Sequence, residues 1–160
     1  MPTQEVADTA FAALPKPPPT IHTTPDPRTY VQIRTGLWVD PANTADQHAT
    51  ASVDGQTVTV TASQAQVVWN LGEGGTVTCL DAGTPGGTSC GYTYQRSSAH
   101  LSSAARPGVY DISARVTWHV SWICTGPRNP ANGEMANRVE SLPTMGTLAV
   151  GEVQTETRPG

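Results

Sequence analysis

The stretch VVWNLGEGG, residues 67–75, decides the fold of this chain. Val67, Trp69 and Leu71 recur at every second position, which places their side chains on one face of a β-strand. Residues 72–75 then interrupt the strand, because glycine adopts the positive backbone angles that a tight turn needs. The stretch therefore predicts an apolar strand that runs into a turn.

A second stretch, residues 110–124, carries the longest alternation in the sequence. Its even positions form an apolar face made of Tyr110, Ile112, Ala114, Val116, Trp118, Val120, Trp122 and Cys124. Its odd positions are mostly polar, and one wet and one buried face is typical of an antiparallel β-sandwich. A strand of this length exceeds the usual range, so we expect a bend or bulge within it.

Shorter runs of β-branched and aromatic residues predict further strands at residues 30–33, 37–39, 49–53, 57–62, 66–71, 76–79 and 147–153. Asp54-Gly55 predicts a two-residue hairpin turn between two of them. Residues 125–138 are expected to form a polar loop. No long helical periodicity appears, and the predicted fold class is all-β, an antiparallel β-sandwich.

The N-terminal 28 residues differ in composition from the rest. Residues 5–14 predict one short helix, with Val6, Ala10, Phe11 and Leu14 on one side, and residues 17–19 are three consecutive prolines. Short isolated helices are marginal in water and proline runs favour extended chain. We therefore predict a mostly disordered leader and proline-rich spacer at 1–28, a sandwich at 29–154 and a disordered tail at 155–160.

Composition excludes some classes of partner. The 160 residues suffice for one domain with a core, only 14% are charged, and the net charge is −4. No cluster of Lys and Arg appears, so we predict no nucleic-acid partner. Residues 72–75 lack the Gly-Lys-Ser/Thr ending of a phosphate-binding loop and no helix follows them, so we predict no nucleotide and no cofactor.

Cys79 and Cys90 bracket a loop rich in glycine and threonine. A disulfide closing this loop would stabilise the fold by about 3 kcal/mol in the chain-entropy treatment. We predict that bridge; the alternative is a pair of reduced thiols. Cys124 ends the apolar face of its strand and is expected to be a packed thiol, with an inter-chain bridge as the lesser alternative.

The aromatic residues are predicted to lie in the core. Strand alternation points Trp69, Tyr110, Trp118 and Trp122 inward, and Tyr94 is assigned to the same core. The alternative is an exposed row of rings on which sugars stack. The sequence does not decide on which side Trp38 lies.

No pattern of catalytic or metal-binding residues appears. The four histidines are scattered, no serine lies in a Gly-x-Ser-x-Gly turn, and no pair of acids suggests glycoside hydrolysis. Glu73, Asp81 and Asp111 are too widely spaced for a typical calcium loop. We therefore predict a protein that is not an enzyme and that holds no metal.

Three segments resemble the polycystic-kidney-disease (PKD) type of immunoglobulin-like domain: Trp-Asn-Leu-Gly-Glu-Gly at 69–74, Tyr-Thr-Tyr at 92–94 and Gly-Val-Tyr-Asp-Ile at 108–112. The chain departs from that pattern at Leu71, where phenylalanine is usual, and at Glu73, where aspartate is usual. Residues 5–154 also resemble uncharacterised actinobacterial envelope or secreted proteins with a proline-rich leader and paired cysteines. The resemblance implies a PKD-type sandwich outside the cytoplasm and implies no reaction.

These observations predict a non-catalytic structural or interaction module, secreted or at the cell surface. Its partner would be an unidentified protein or a cell-wall glycan, and any membrane tether would lie outside this chain. Three alternatives stay open: a carbohydrate-binding module, an accessory domain of an envelope hydrolase, and a filament or phage-like structural subunit.

Overall fold

A computed structural model describes residues 3–25, 28–53, 55–84, 89–101, 107–126, 131–134 and 138–152. These residues form one α-helix, one 3₁₀ turn (Pro41–Thr44) and eleven strands. The elements are α1 (Thr3–Ala12), β1 (Ile21–Thr24), β2 (Arg28–Tyr30), β3 (Arg34–Val39), β4 (Gln47–Val53), β5 (Gln56–Asn70), β6 (Thr76–Cys79), β7 (Gly91–Thr93), β8 (Tyr110–Thr125), β9 (Ala131–Glu134), β10 (Val139–Glu140) and β11 (Thr144–Gly151).

The strands form two sheets in a sandwich-like arrangement, which confirms the all-β class. The larger sheet has the order β2-β11-β8-β5-β4, with β6 beside β5 and with β9 and β10 beside β8. The smaller sheet has the order β1-β3-β7. Every pairing is antiparallel except that of β2 with β11, which is parallel.

A disulfide between Cys79 and Cys90 joins the two sheets, as predicted. Cys79 ends β6 in the larger sheet, and Cys90 immediately precedes β7 in the smaller one. The bridge is consistent with an extracellular location, where disulfides persist. Cys124 is a buried free thiol. No helix in the described part of the chain is long and apolar enough to cross a bilayer.

The long strand predicted at residues 110–124 is confirmed as β8, which lies at the centre of the larger sheet. Its even-numbered residues face the core, and Val116, Trp118 and Val120 are fully buried. Trp122 is only half-buried and leans over β9, where a Cβ on Gly133 would lie 2.6 Å from its ring. The predicted polar loop at 125–138 is therefore interrupted by β9, which pairs with the end of β8.

The irregularity expected in β8 lies in its partner strand instead. The runs 57–62 and 66–71, predicted as two strands, belong to the single strand β5, whose register against β8 shifts between Ser63 and Gln66. Gln64 has a φ of 52°, and it shares with Ala65 the place opposite Trp118. Such a bulge adds one residue to one strand. Before the bulge the buried residues have even numbers, and after it they have odd numbers. The same face of β5 therefore stays buried along the whole strand, with these residues on it: Val58, Val60, Ala62, Ala65, Val67 and Trp69.

Arg138 holds the bulge in place. Its Nε donates to Thr117 Oγ1 at 3.0 Å, and its Nη2 donates to the Thr117 carbonyl at 3.0 Å and to the Gln64 carbonyl. The guanidinium thus links both strands where the regular ladder is interrupted.

The leader packs against the sandwich, which differs from the expectation of a disordered spacer. Helix α1 lies on β4, β5 and β8, with Val6, Ala7 and Ala10 buried in the common core, and Leu14, two residues after the helix, is buried there too. After the proline run, β1 pairs with β3 in the smaller sheet, from Ile21 opposite Val39 to Thr24 opposite Gly36. Helix and strand bury apolar side chains that a free spacer would leave in water. The predicted tail at 155–160 lies outside the described residues.

Replacing Leu14 by alanine tests this packing. Leu14 is 4% exposed, and truncating a buried leucine costs about 2–3 kcal/mol, the lower end of the usual range. Chemical unfolding should therefore show a clear loss of stability for Leu14→Ala and little change for the exposed Pro18→Ala control. Equal stability of the two variants would show that the leader contributes nothing to the fold.

Candidate functional site

The glycine-rich turn after β5 positions one carboxylate, that of Glu73. Gly72 and Gly74 have φ angles of 84° and 104°, which favour glycine. A Cβ on Gly72 would also lie 2.9 Å from Tyr110 Cδ1, so the turn packs directly on that ring. Because of this geometry the Glu73 side chain reaches across to residues 92–96.

Glu73 accepts three hydrogen bonds from that segment. The Tyr92 hydroxyl donates to Oε2, and the backbone amides of Gln95 and Arg96 donate to Oε1 at 2.8 and 2.6 Å. Hydrogen bonds to an ionised group are the stronger kind. Glu73 takes the amide of Arg96 and not its guanidinium, so it fixes the backbone there without neutralising the cation.

Two further tyrosines add hydrogen bonds between the same segments. The Tyr94 hydroxyl donates to the Leu71 carbonyl at 2.8 Å, and the Tyr110 hydroxyl donates to the Arg96 carbonyl at 2.8 Å. The rings of Tyr94 and Tyr110 stack with centroids 4.9 Å apart. Both residues are buried where the sequence placed them, and so are Trp69 and Trp118.

All three hydroxyls are held in the neutral form. The hydrogen bond to Glu73, followed by burial and the charge of that carboxylate, raises the pKa of Tyr92 to about 12. Burial is the main cause that raises the pKa of Tyr94 and of Tyr110 above 10. The cluster therefore acts as a set of fixed hydrogen-bond donors and offers no phenolate near neutral pH.

The segment fixed in this way lines an open groove with a volume of about 610 Å³. The groove lies where the ends of β2 and β11 meet residues 95–100. Its lining residues are Arg28, Val31, Gln95, Arg96, Ser97, Ala99, His100, Gly151 and Glu152. We call this feature the cationic groove.

Three of its side chains are basic, those of Arg28, Arg96 and His100. Arg28 lies with its guanidinium carbon 5.7 Å from the centre of the Tyr30 ring. A Cβ on Gly151 would lie 2.5 Å from Arg28 Nη2, so a glycine there makes room for the guanidinium. The ion pairs among the described residues, His22–Asp40, Arg115–Glu140 and His119–Glu134, involve no side chain of the groove. Arg28 and Arg96 thus present positive charge around a cavity whose lining includes one carboxylate, Glu152.

The aromatic residues do not form an exposed platform in the described part of the chain. Trp38 is half-buried, stacks on His22 at a centroid distance of 3.9 Å and donates to Thr24 Oγ1. Among the large exposed apolar residues, Tyr30 is the aromatic one, at 36% exposure. A row of sugar-stacking rings is therefore not a feature of these residues.

The residues that would support catalysis or a metal are not gathered either. His100 and Ser97 both line the groove, but no hydrogen bond joins them within the described residues, and Ser97 Oγ accepts the amide of Ala99. His22 contacts Asp40 at 2.8 Å at a separate place. Within the described part of the chain, no three His, Cys, Asp or Glu side chains cluster as a metal site would require.

Sequence reasoning did not find the groove. It assigned Arg28 to the spacer, and it had no reason to join that residue to Arg96 and His100, which lie about 70 positions further along the chain. The sequence signal for this site is Gln95-Arg96, which directly follows the Tyr-Thr-Tyr segment at 92–94. Only the pairing of β2 with β11 brings Arg28 to the same place.

Comparison with known proteins gives no relative from which a function could be transferred. The chain matches no protein family, no curated protein and no solved structure at a significant level.

Replacing Glu73 by glutamine should destabilise the protein. The amide keeps the shape but loses the charge and one acceptor, which leaves a donor among Tyr92, Gln95 and Arg96 without its partner. We expect a loss of about 1–3 kcal/mol in the free energy of unfolding. Glu140→Gln is the matched control, since it removes only an exposed pair with Arg115 at 3.3 Å and should cost less than about 1 kcal/mol. Equal losses would contradict the role of Glu73.

Alkaline titration should show delayed ionisation of the tyrosine cluster. A pKa raised in the folded state means that the native protein holds protons which the unfolded chain releases from pH 10 upward. Stability is therefore fully present below pH 10 and falls as the pH rises towards about 12, the pKa of Tyr92. Phenolate absorbance should show that the three tyrosines of the cluster stay protonated up to unfolding, and Tyr92→Phe should remove one late-ionising group. Early ionisation of three of the four tyrosines would disprove the cluster.

Proposed function

We propose that this protein is a non-catalytic, extracytoplasmic binding module whose cationic groove takes an acidic group of a partner. The observation that carries this proposal is the convergence of Arg28 and Arg96, together with His100, on one open groove. The chain as a whole has a net charge of −4. Local positive charge in an acidic protein favours a defined acidic ligand over general attraction to polyanions.

The chemistry of arginine supports a carboxylate as the recognised group. A guanidinium offers donors in a planar fork that matches the two oxygens of a carboxylate, and it remains charged at every physiological pH. Gln95 and Ser97 line the same groove and supply neutral hydrogen-bonding groups beside the charge. Such a site suits an acidic side chain of a protein or a uronic-acid residue of a cell-wall glycan.

The placement of the groove supports binding over catalysis. The Arg96 backbone is held by hydrogen bonds, and Arg28 packs beside Tyr30 and Gly151. Among the described residues of the groove, no side chain is paired as an activated nucleophile would be with its base. The disulfide between Cys79 and Cys90 supports an extracytoplasmic location. The PKD-type resemblance is part of this proposal, because domains of that architecture present loops and strand ends as binding surfaces.

Neutralising the two arginines tests the proposal. Arg28→Gln combined with Arg96→Gln should weaken binding to an acidic polymer about tenfold or more, since each lost charged hydrogen bond costs about 1.5–3 kcal/mol. The control Arg115→Gln removes one positive charge from the outer face of β8, as each single variant does from the groove, and should bind as the unmodified protein does.

Polygalacturonate, poly-L-glutamate and neutral dextran are suitable probes, measured by calorimetry at low and at physiological salt. Preference for polygalacturonate would identify a glycan partner, and preference for poly-L-glutamate an acidic protein. Binding to neither acidic probe, or equal weakening by Arg115→Gln, would refute the proposal.

A further inference from the structure

Strand β11 leaves part of its outer edge open. It pairs with β8 along residues 144–148 on one side, and with β2 only along residues 149–151 on the other. Within the described residues no strand lies beside the outer edge of residues 144–148. We call this stretch the open edge.

Hydrogen bonds on either side of Val150 show which backbone groups the open edge presents. The Gly151 carbonyl accepts the amide of Val31 at 2.9 Å, on the β2 side. Val150 instead exchanges hydrogen bonds with Ser98 on the opposite side, at 2.8 Å. Successive residues of a strand face opposite edges, so Thr147 and Met145 direct their N–H and C=O groups outward, as Gly151 does.

The open edge carries no charged side chain that would oppose pairing. Edge strands of natural proteins commonly carry a lysine, an inward-pointing charge or a bulge. Residues 141–151 contain no charged side chain. Large apolar side chains flank the edge, with Leu142 75% and Met145 67% exposed. A cleft of about 180 Å³ next to it is lined by Ile21, Ile112 and Gly146, among others.

The other long edge of the larger sheet differs. Strand β4 is also unpaired on its outer side, but its exposed residues are the polar His48, Thr50 and Ser52. None of the large exposed apolar residues of the described chain belongs to it. Apolar surface and open backbone groups therefore coincide at β11.

We propose that the open edge is a dimerisation surface on which the β11 strands of two copies of this chain pair antiparallel. A second copy is the occupant that this edge fits, because it brings an identical uncharged strand and identical apolar side chains. No like charges then face each other, although each chain carries a net charge of −4.

The preferred register of such a dimer is the symmetric one that uses both outward-facing residues. With Met145 of one copy opposite Thr147 of the other, both residues form hydrogen-bonded pairs within residues 144–148, whereas a centre at Met145 or at Thr147 pairs only one of them there. Gly146 then lies opposite Gly146 at the two-fold axis, as a closely spaced non-hydrogen-bonded pair about 4.5 Å apart. Pro143 and the pairing of β2 with residues 149–151 end the contact at both sides.

Sedimentation tests the surface. The unmodified protein should show a reversible monomer–dimer equilibrium, because an interface this short is at the weak end of specific contacts. Met145→Lys places a charge at the edge and should give a monomer at the same concentrations. Ile123→Lys, the same change at a position that is 57% exposed on β8, should leave the dimer unchanged. Circular dichroism verifies that each variant is folded.

Cysteine cross-linking tests the register. In a Cys124→Ala background, a mixture of Met145→Cys and Thr147→Cys proteins should form a disulfide-linked heterodimer under mild oxidation. Neither protein alone should cross-link to a comparable extent, because its cysteines lie diagonally across the axis and not opposite each other. A monomer at all concentrations, a dimer insensitive to Met145→Lys, or equal cross-linking in every mixture would overturn the proposal. None of these results depends on the cationic groove.

Discussion

The apolar face shared by β5 and β8 has to be covered along its whole length, and the remaining elements are arranged to meet that requirement. The two strands have 15 and 16 residues, and at about 3.3 Å per residue they extend for about 50 Å. The longest strand of the smaller sheet has 6 residues, about 20 Å. The second layer therefore reaches about half of the face. Helix α1 covers the end where β5 pairs with β4, so the leader completes the core.

The bulge in β5 makes this long shared face possible. Side chains of a regular strand alternate with a period of two. In a β5 without a bulge, Ala65, Val67 and Trp69 would therefore lie on the face opposite to that of residues 58, 60 and 62. Gln64 adopts a positive φ opposite Trp118, and the ring fills the core where the two halves of the strand meet. Arg138 then joins the two strands across the interruption. A defect in the ladder is thereby stabilised by charged hydrogen bonds.

The candidate site depends on the hydrogen bonds that Glu73, Tyr92, Tyr94 and Tyr110 form with the backbone and with one another. Residues 94–96 are fixed by hydrogen bonds to backbone groups. The Tyr94 hydroxyl donates to the Leu71 carbonyl. Glu73 accepts the amides of Gln95 and Arg96, and the Tyr110 hydroxyl donates to the Arg96 carbonyl. Because these bonds use the amide and carbonyl of Arg96, its guanidinium is left to line the groove. A cation that forms no ion pair with the described residues and sits on a fixed backbone reduces the entropy cost of binding an acidic group.

The sequence by itself determined the β class, the face of β8, the burial of Trp69, Tyr94, Tyr110 and Trp118, and the Cys79–Cys90 pair. Except for Tyr94, which was assigned to the core without a strand pattern, these follow from local alternation and short spacing. Alternation also placed Trp122 in the core, where the structure leaves it half-buried. The sequence also contained the bulge, as the change from even to odd apolar positions between Ala62 and Ala65, although two separate strands were the simpler interpretation. Only the tertiary structure decided that the leader packs on the sheet, that Arg28 meets Arg96, and that β11 keeps an open edge. Each of these depends on contacts between segments far apart in the chain, for which local pattern carries no information.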